Sequence, residues 1–120
     1  MNEKTMSVLT NIQTKLTAKR QKVDTQLALL LAEPTDNNLE TYRLMVSEFI
    51  TSAVTQIYLS GLKAHWHNLA SVNLYDEISA MDGILADITK SVSSKDTTNL
   101  ANNCQAVNNV LDKFTMININ

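Results

Sequence analysis

The sequence predicts an all-α fold, a four-helix, mostly antiparallel bundle with a long second helix, and three observations predict it. Apolar residues recur at three- and four-residue steps along nearly the whole chain, the spacing of a helix face and not of a strand. Gly61 and Gly83 are the only glycines and Pro34 the only proline in 120 residues, too few turn-formers for a sandwich, a barrel or a phosphate-cradling loop. The longest helical run, Asp36 to Asn73, gathers Tyr42, Tyr58, the single tryptophan and both histidines, so the other segments are expected to pack on it.

The first helix is expected over 5–32. Leu9, Ile12, Leu16, Val23, Leu27 and Leu30 keep a heptad-like spacing, and Lys19 and Gln26 interrupt the seam at two positions. Glu33-Pro34-Thr35-Asp36 ends it, because the residue before proline is pushed out of the helical region and Thr35 or Asp36 can cap the next helix. A connection this short folds the second helix back antiparallel.

That second helix is expected over 36–72, bent or broken at 60–61. Leu39, Tyr42, Val46, Phe49, Ala53 and Ile57 form its stripe. Unbroken, it would be roughly 54 Å long, about twice the diameter of a small domain. Beyond Ile57 the apolar residues Tyr58, Leu59, Leu62, Trp66 and Leu69 take other parts of the circumference, so the buried face shifts near Gly61.

A third helix over 74–93 follows the cap Asn73 and carries Leu74, Ile78, Met81, Leu85, Ile88 and Val92, with Gly83 off the stripe. The last, over 96–115, begins at Ser94 or Asp96 and buries Leu100, Cys104, Val107, Leu111 and Phe114. Its other faces are rich in asparagine. The tail 116–120 alternates apolar and polar residues, the strand period, and is expected to fray or to add a short strand to a partner's sheet. One helical domain therefore spans 1–120.

Charged residues make up 18% of the chain, low enough to set aside charge-driven disorder. The net charge of −2 argues against a nucleic-acid or anionic-membrane binder as a property of the whole molecule. Lys15, Lys19, Arg20 and Lys22 cluster early, whereas Asp76, Glu77, Asp82 and Asp87 cluster late; complementary helices are the expected reason, and a basic nucleic-acid patch is the alternative. Cys104 is alone, so no internal disulfide framework is expected. No signal peptide and no membrane span is expected either, which points to the cytoplasm, although proteins exported by signal-less machines read the same.

His65 and His67 flank Trp66, but residues two apart on a helix point about 200° away from each other and do not grip one metal ion. Asp76, Glu77, Asp82 and Asp87 lie opposite an apolar stripe and are expected to be a solvated face, not acid–base groups. Cys104 falls on the apolar seam, where a thiol is a small hydrophobe with a raised pKa. No catalytic residue, cofactor or metal is therefore expected. Tyr58, Leu62 and Trp66 are the candidate interface, because tyrosine and tryptophan dominate contact energies where apolar area exceeds one stripe.

The hairpin Leu29-Leu30-Leu31-Ala32-Glu33-Pro34-Thr35-Asp36, followed by Leu39, Tyr42 and Ser47-Glu48-Phe49, resembles the helical hairpin of type III secretion needle and inner-rod subunits over about residues 15 to 62. Small helical immunity proteins share the pattern. The segment after Leu69 has no counterpart in a needle subunit, the turn lacks the second proline usual there, and no functional residue is carried over. The expected function is non-enzymatic binding of another protein, as a small bacterial-type chaperone, immunity protein or adaptor, alone or as a homodimer. A self-assembling structural subunit and a weak nucleic-acid binder using the basic first helix are the alternatives.

Overall fold

The computed structural model describes residues 2–70 and 73–116. Val72 and the alternating tail 117–120 lie outside the described residues. The fold is all-α, as the periodicity predicts, but the described residues hold five helices and not four: α1 (Glu3–Ala32), α2 (Asp36–Leu59), α3 (Lys63–Ala70), α4 (Leu74–Ser93) and α5 (Thr97–Thr115). The correction falls at one place, where the single helix expected over 36–72 is divided into α2 and α3.

The physical reason is a change of side. On a straight helix, at 100° per residue, the stripe Leu59, Leu62, Trp66 and Leu69 would lie on roughly the opposite side from the stripe Leu39 through Ile57. One chain can bury both against one core only by turning between them. Gly61 makes that turn at φ +72, a left-handed conformation that glycine adopts without a Cβ penalty. Ser60 shapes it: its hydroxyl donates to the Ile57 carbonyl at 2.7 Å and accepts the Leu62 N–H at 3.2 Å.

The other boundaries follow local chemistry. Asn2, Thr35, Asn73 and Asp96 each accept a backbone N–H from the first turn of the helix they precede, so Thr35 and Asp96 are the caps among the residues the sequence offered. At the end of α4 the Asp96 N–H reaches the Ser91 carbonyl at 2.9 Å and the Lys95 N–H reaches Val92 at 3.2 Å. That paired return is a Schellman ending, and it holds Lys95 at φ +57, a position glycine usually fills.

The four long helices close a ring in which α1 packs on α2 and α5, and α4 packs on α5 and α2, while α3 packs on α2. Directions follow from side-chain links. Gln13 donates to the Thr115 carbonyl while Arg20 meets Asp112, so α1 rises as α5 descends. Lys113 of α5 meets Glu77 near the start of α4, so these two are antiparallel as well. The molecule is 50 × 23 × 21 Å.

The core follows the stripes: Leu9, Ile12, Leu16, Val23 and Leu30 of α1 meet Leu39, Tyr42, Val46, Phe49, Ala53 and Ile57 of α2, with Met81, Ile88 and Val92 of α4 and the α5 stripe opposite. Phe49 and Phe114 meet edge to face, 6.0 Å between centroids. Trp66 joins the same core.

Phe114→Ala is expected to lower the unfolding free energy by about 3–5 kcal/mol in a urea titration, since both its ring burial and its partner's edge contact are lost. Lys95→Gly is expected to raise it by about 0.5–1 kcal/mol, by relieving the left-handed residue of its Cβ.

Candidate functional site

The residues that the sequence singles out gather around the end of α2. Tyr58 stands on the last turn of α2, Lys63 on the first turn of α3 and Tyr75 on the first turn of α4. The Lys63 ammonium lies 4.7 Å from the Tyr58 ring centroid and 4.8 Å from that of Tyr75. The rings themselves are 6.1 Å apart at 68°. One cation thus bridges two aromatic faces from different helices, an attraction of roughly 0.5–1 kcal/mol per exposed pair.

The phenols also split each other's acidity. The nearness of the Tyr75 hydroxyl, and then Lys63, pulls Tyr58 below the usual tyrosine value, while the Tyr58 hydroxyl pushes Tyr75 above it. The contact is loose, since the Tyr58 oxygen finds no hydrogen-bond partner of ordinary geometry among the described residues.

Of the expected interface residues, Trp66 is fully buried, and its indole N–H has no acceptor among the described residues. Tyr58 and Leu62 are half-buried and pack against the core. The exposed apolar residues here are Leu59, which the sequence places off the main stripe, at 82% and Tyr75 at 60%. Lys63 was missed altogether. The signal that could have found it is a lysine three residues before a tryptophan at a helix break, flanked by tyrosines.

His65 and His67 lie on α3, one exposed and one half-buried. No group of three or more His, Cys, Asp or Glu that could hold a metal ion exists among the described residues. The acidic set is not one surface. Asp76, Asp82 and Asp87 are exposed, whereas Glu77 is half-buried and paired with Lys113 at 2.7 Å. Arg20 likewise leaves the basic cluster, meeting Asp24 at 3.1 Å and Asp112 at 2.9 Å. Complementarity between the early and late charge clusters therefore runs through α5 and does not join α1 directly to α4.

Two asparagines of α5 face inward. Asn103 donates to the Ser91 hydroxyl at 3.1 Å, and the Asn108 carbonyl oxygen is buried without a partner. Deeper, the hydroxyl of fully buried Tyr42 sits beside the Cys104 thiol without a hydrogen bond of good geometry. Burial, and then Cys104, raise the Tyr42 phenol far above its usual value, and burial pushes the Cys104 thiol up to about 11.

A concavity of about 470 Å³ lies along the outer α1–α2 seam and is lined by Lys19, Leu44, Ser47, Glu48, Thr51, Ser52, Thr55 and Gln56. Its volume is that of a ligand site, but it is open, and its lining is hydroxyl and amide with one lysine and one glutamate.

Residues 1–108 match the family described as "Protein of unknown function (DUF327)", and the chain belongs to that family. No curated protein and no solved structure matches the chain.

The raised Cys104 and Tyr42 values fix the alkaline limit. A group whose folded pKa is raised contributes stability that is complete below its unfolded pKa and is lost as pH rises beyond it. Stability is expected to fall from about pH 9, as the Cys104 thiol ionises in the unfolded chain, by up to about 1.4 kcal/mol per pH unit. Cys104→Ala should delay the onset to about pH 10, where the Tyr42 phenol takes over; urea midpoints measured from pH 7 to 10.5 check both.

Proposed function

We propose that this chain is a non-catalytic helical module that binds another protein, and that the contact surface surrounds the end of α2. The observation that carries the reading is the exposure of Leu59 and Tyr75 beside half-buried Tyr58 and Leu62. Large apolar and aromatic side chains collected at one end of a helical bundle are the composition of an interface centre. Trp66, held beneath them, serves as the rigid floor of that surface and not as its contact tip. Lys63, spanning the two tyrosines, fixes their rings in advance, which lowers the entropy lost when a partner seats on them.

The polar residues support the same reading. The buried hydroxyl of Tyr42 and the thiol of Cys104 face each other inside the core, so neither is available to a substrate. Asp76, Asp82 and Asp87 are exposed on α4, and Asp82 and Asp87 line two separate concavities, so the three carboxylates are not brought to one place.

Affinity capture with the full chain tests this, using two surface variants whose helicity is first checked by circular dichroism. Leu59→Asp is expected to weaken retention of a dedicated partner at least ten-fold, while Leu44→Asp, on the outer seam, leaves it unchanged. Equal retention by both variants would overturn the assignment of the surface. Salt-sensitive retention on DNA or RNA that disappears when Lys15, Lys19 and Lys22 are neutralised would favour the nucleic-acid alternative.

A further inference from the structure

We propose that residues 60–62 are a domain-swapping hinge, and that two copies of this chain can exchange the segment α3–α5 while α2 and α3 join into one straight helix over 36–70. The partner is a second copy: the α1–α2 and α4–α5 contacts stay within each chain, and those that α3, α4 and α5 make with α1 and α2 are remade with the other.

Four features place the hinge there. Ser60, Gly61 and Leu62 are the only residues between two helices that the periodicity reads as one, so the intervening turn is the only obstacle to continuity. Gly61 is at φ +72, and a Cβ at that position would meet nothing within 4 Å; the bend depends on glycine's backbone freedom and not on lack of space. Leu59, the last residue of α2, is left 82% exposed where the chain turns. In the straight helix it would begin the stripe Leu59, Leu62, Trp66 and Leu69, on roughly the opposite side from the stripe that α1 covers.

Such a two-sided helix needs a second set of helices against its far side, and an exchanged copy supplies them. Finally, α3 makes its main helix contact with α2, while α1 pairs with α2 and α4 with α5, so opening the chain at 60–62 leaves both of those helix pairs whole. Short connections held in a turn that the flanking helices would otherwise continue through are where swapping arises.

The inference does not need the protein-binding reading above, because its experiment reads chain exchange alone. The full chain with Gln13→Cys and Thr115→Cys, in a Cys104→Ala background, links α1 to α5 where Gln13 meets the Thr115 carbonyl at 2.8 Å. Gly61→Ala added to it puts a Cβ on a left-handed residue and favours helix continuation. The two effects together should shift each hinge toward the straight form by roughly thirty-fold.

Light scattering after gel filtration is expected to show a dimer for Gly61→Ala, and oxidation should then give a covalent dimer on a denaturing gel. A monomer, or a dimer whose cross-link stays within one chain, would overturn the proposal. So would a variant unfolded by circular dichroism, since the straight helix should give it a folded alternative. Inserting three glycines after Gly61 is expected to return the protein to a monomer with the cross-link inside one chain; a dimer that persists there counts against the hinge.

Discussion

The apolar seam between α1 and α2 carries the rest of the molecule. Leu9 through Leu30 on one helix meet Leu39 through Ile57 on the other, and the Glu33–Thr35 turn brings them together with little loop to close. Neither helix is a strong one by composition, since threonine, asparagine, serine and β-branched residues fill their outer faces. Their stability is therefore mutual: each supplies the apolar wall that the other lacks. α5 then lies against α1, α4 against α5 and α2, and α3 against the far end of α2, so α3 and α4 both depend on where α2 stops.

Much of this order was legible from residue spacing. The stripes the sequence offers in α1, α2 and α5 reappear as buried side chains, Leu27 alone being half-buried, and the caps Thr35, Asn73 and Asp96 stand where short polar residues precede apolar periods. What spacing could not show was the division of the second helix. Ser60-Gly61 is tolerated inside a helix at modest cost, so periodicity marks a change of face there without saying whether the chain bends, twists or reverses. The answer lies in the core on which Leu62 and Trp66 must land, and that core is built from residues far away in sequence. The placement of Trp66 shows the same dependence. Trp66 reads as surplus on a long helix, yet reversal carries it inside and leaves Leu59 outside.

Electrostatics show a similar limit. Opposite charge clusters in α1 and α4 suggest direct pairing, but helix order in the ring decides which charges meet. With α5 between them, Arg20 reaches Asp112 and Glu77 reaches Lys113. The side chains of Arg20 and Glu77 are 13% and 15% exposed, against 41% and 40% for their partners, so each pair is only half desolvated. Such pairs contribute little raw stability, about 1 kcal/mol or less. Their effect is on register. A slip of α5 by one turn along α1 would strand Arg20 and detach Gln13 from the Thr115 carbonyl together, while leaving apolar against apolar largely intact.

The unsatisfied interior groups bear on specificity. The Tyr42 hydroxyl and the Asn108 oxygen cost roughly 1–3 kcal/mol each when buried without partners, so a purely apolar replacement would pack at least as stably. Tyr42 sits at the α2–α5 contact, beside Cys104, and Asn108 lies one turn along α5 from that cysteine. Apolar stripes alone tolerate sliding, because leucine and valine fit one another at several registers. Polar atoms that fit badly at one register and worse at its neighbours narrow the choice, as buried polar groups do in coiled coils. The bundle thus gains a unique alignment from the charged links at its rim and accepts a cost at its centre, while at the end of α2 the cation of Lys63 on the Tyr58 and Tyr75 rings joins α2, α3 and α4.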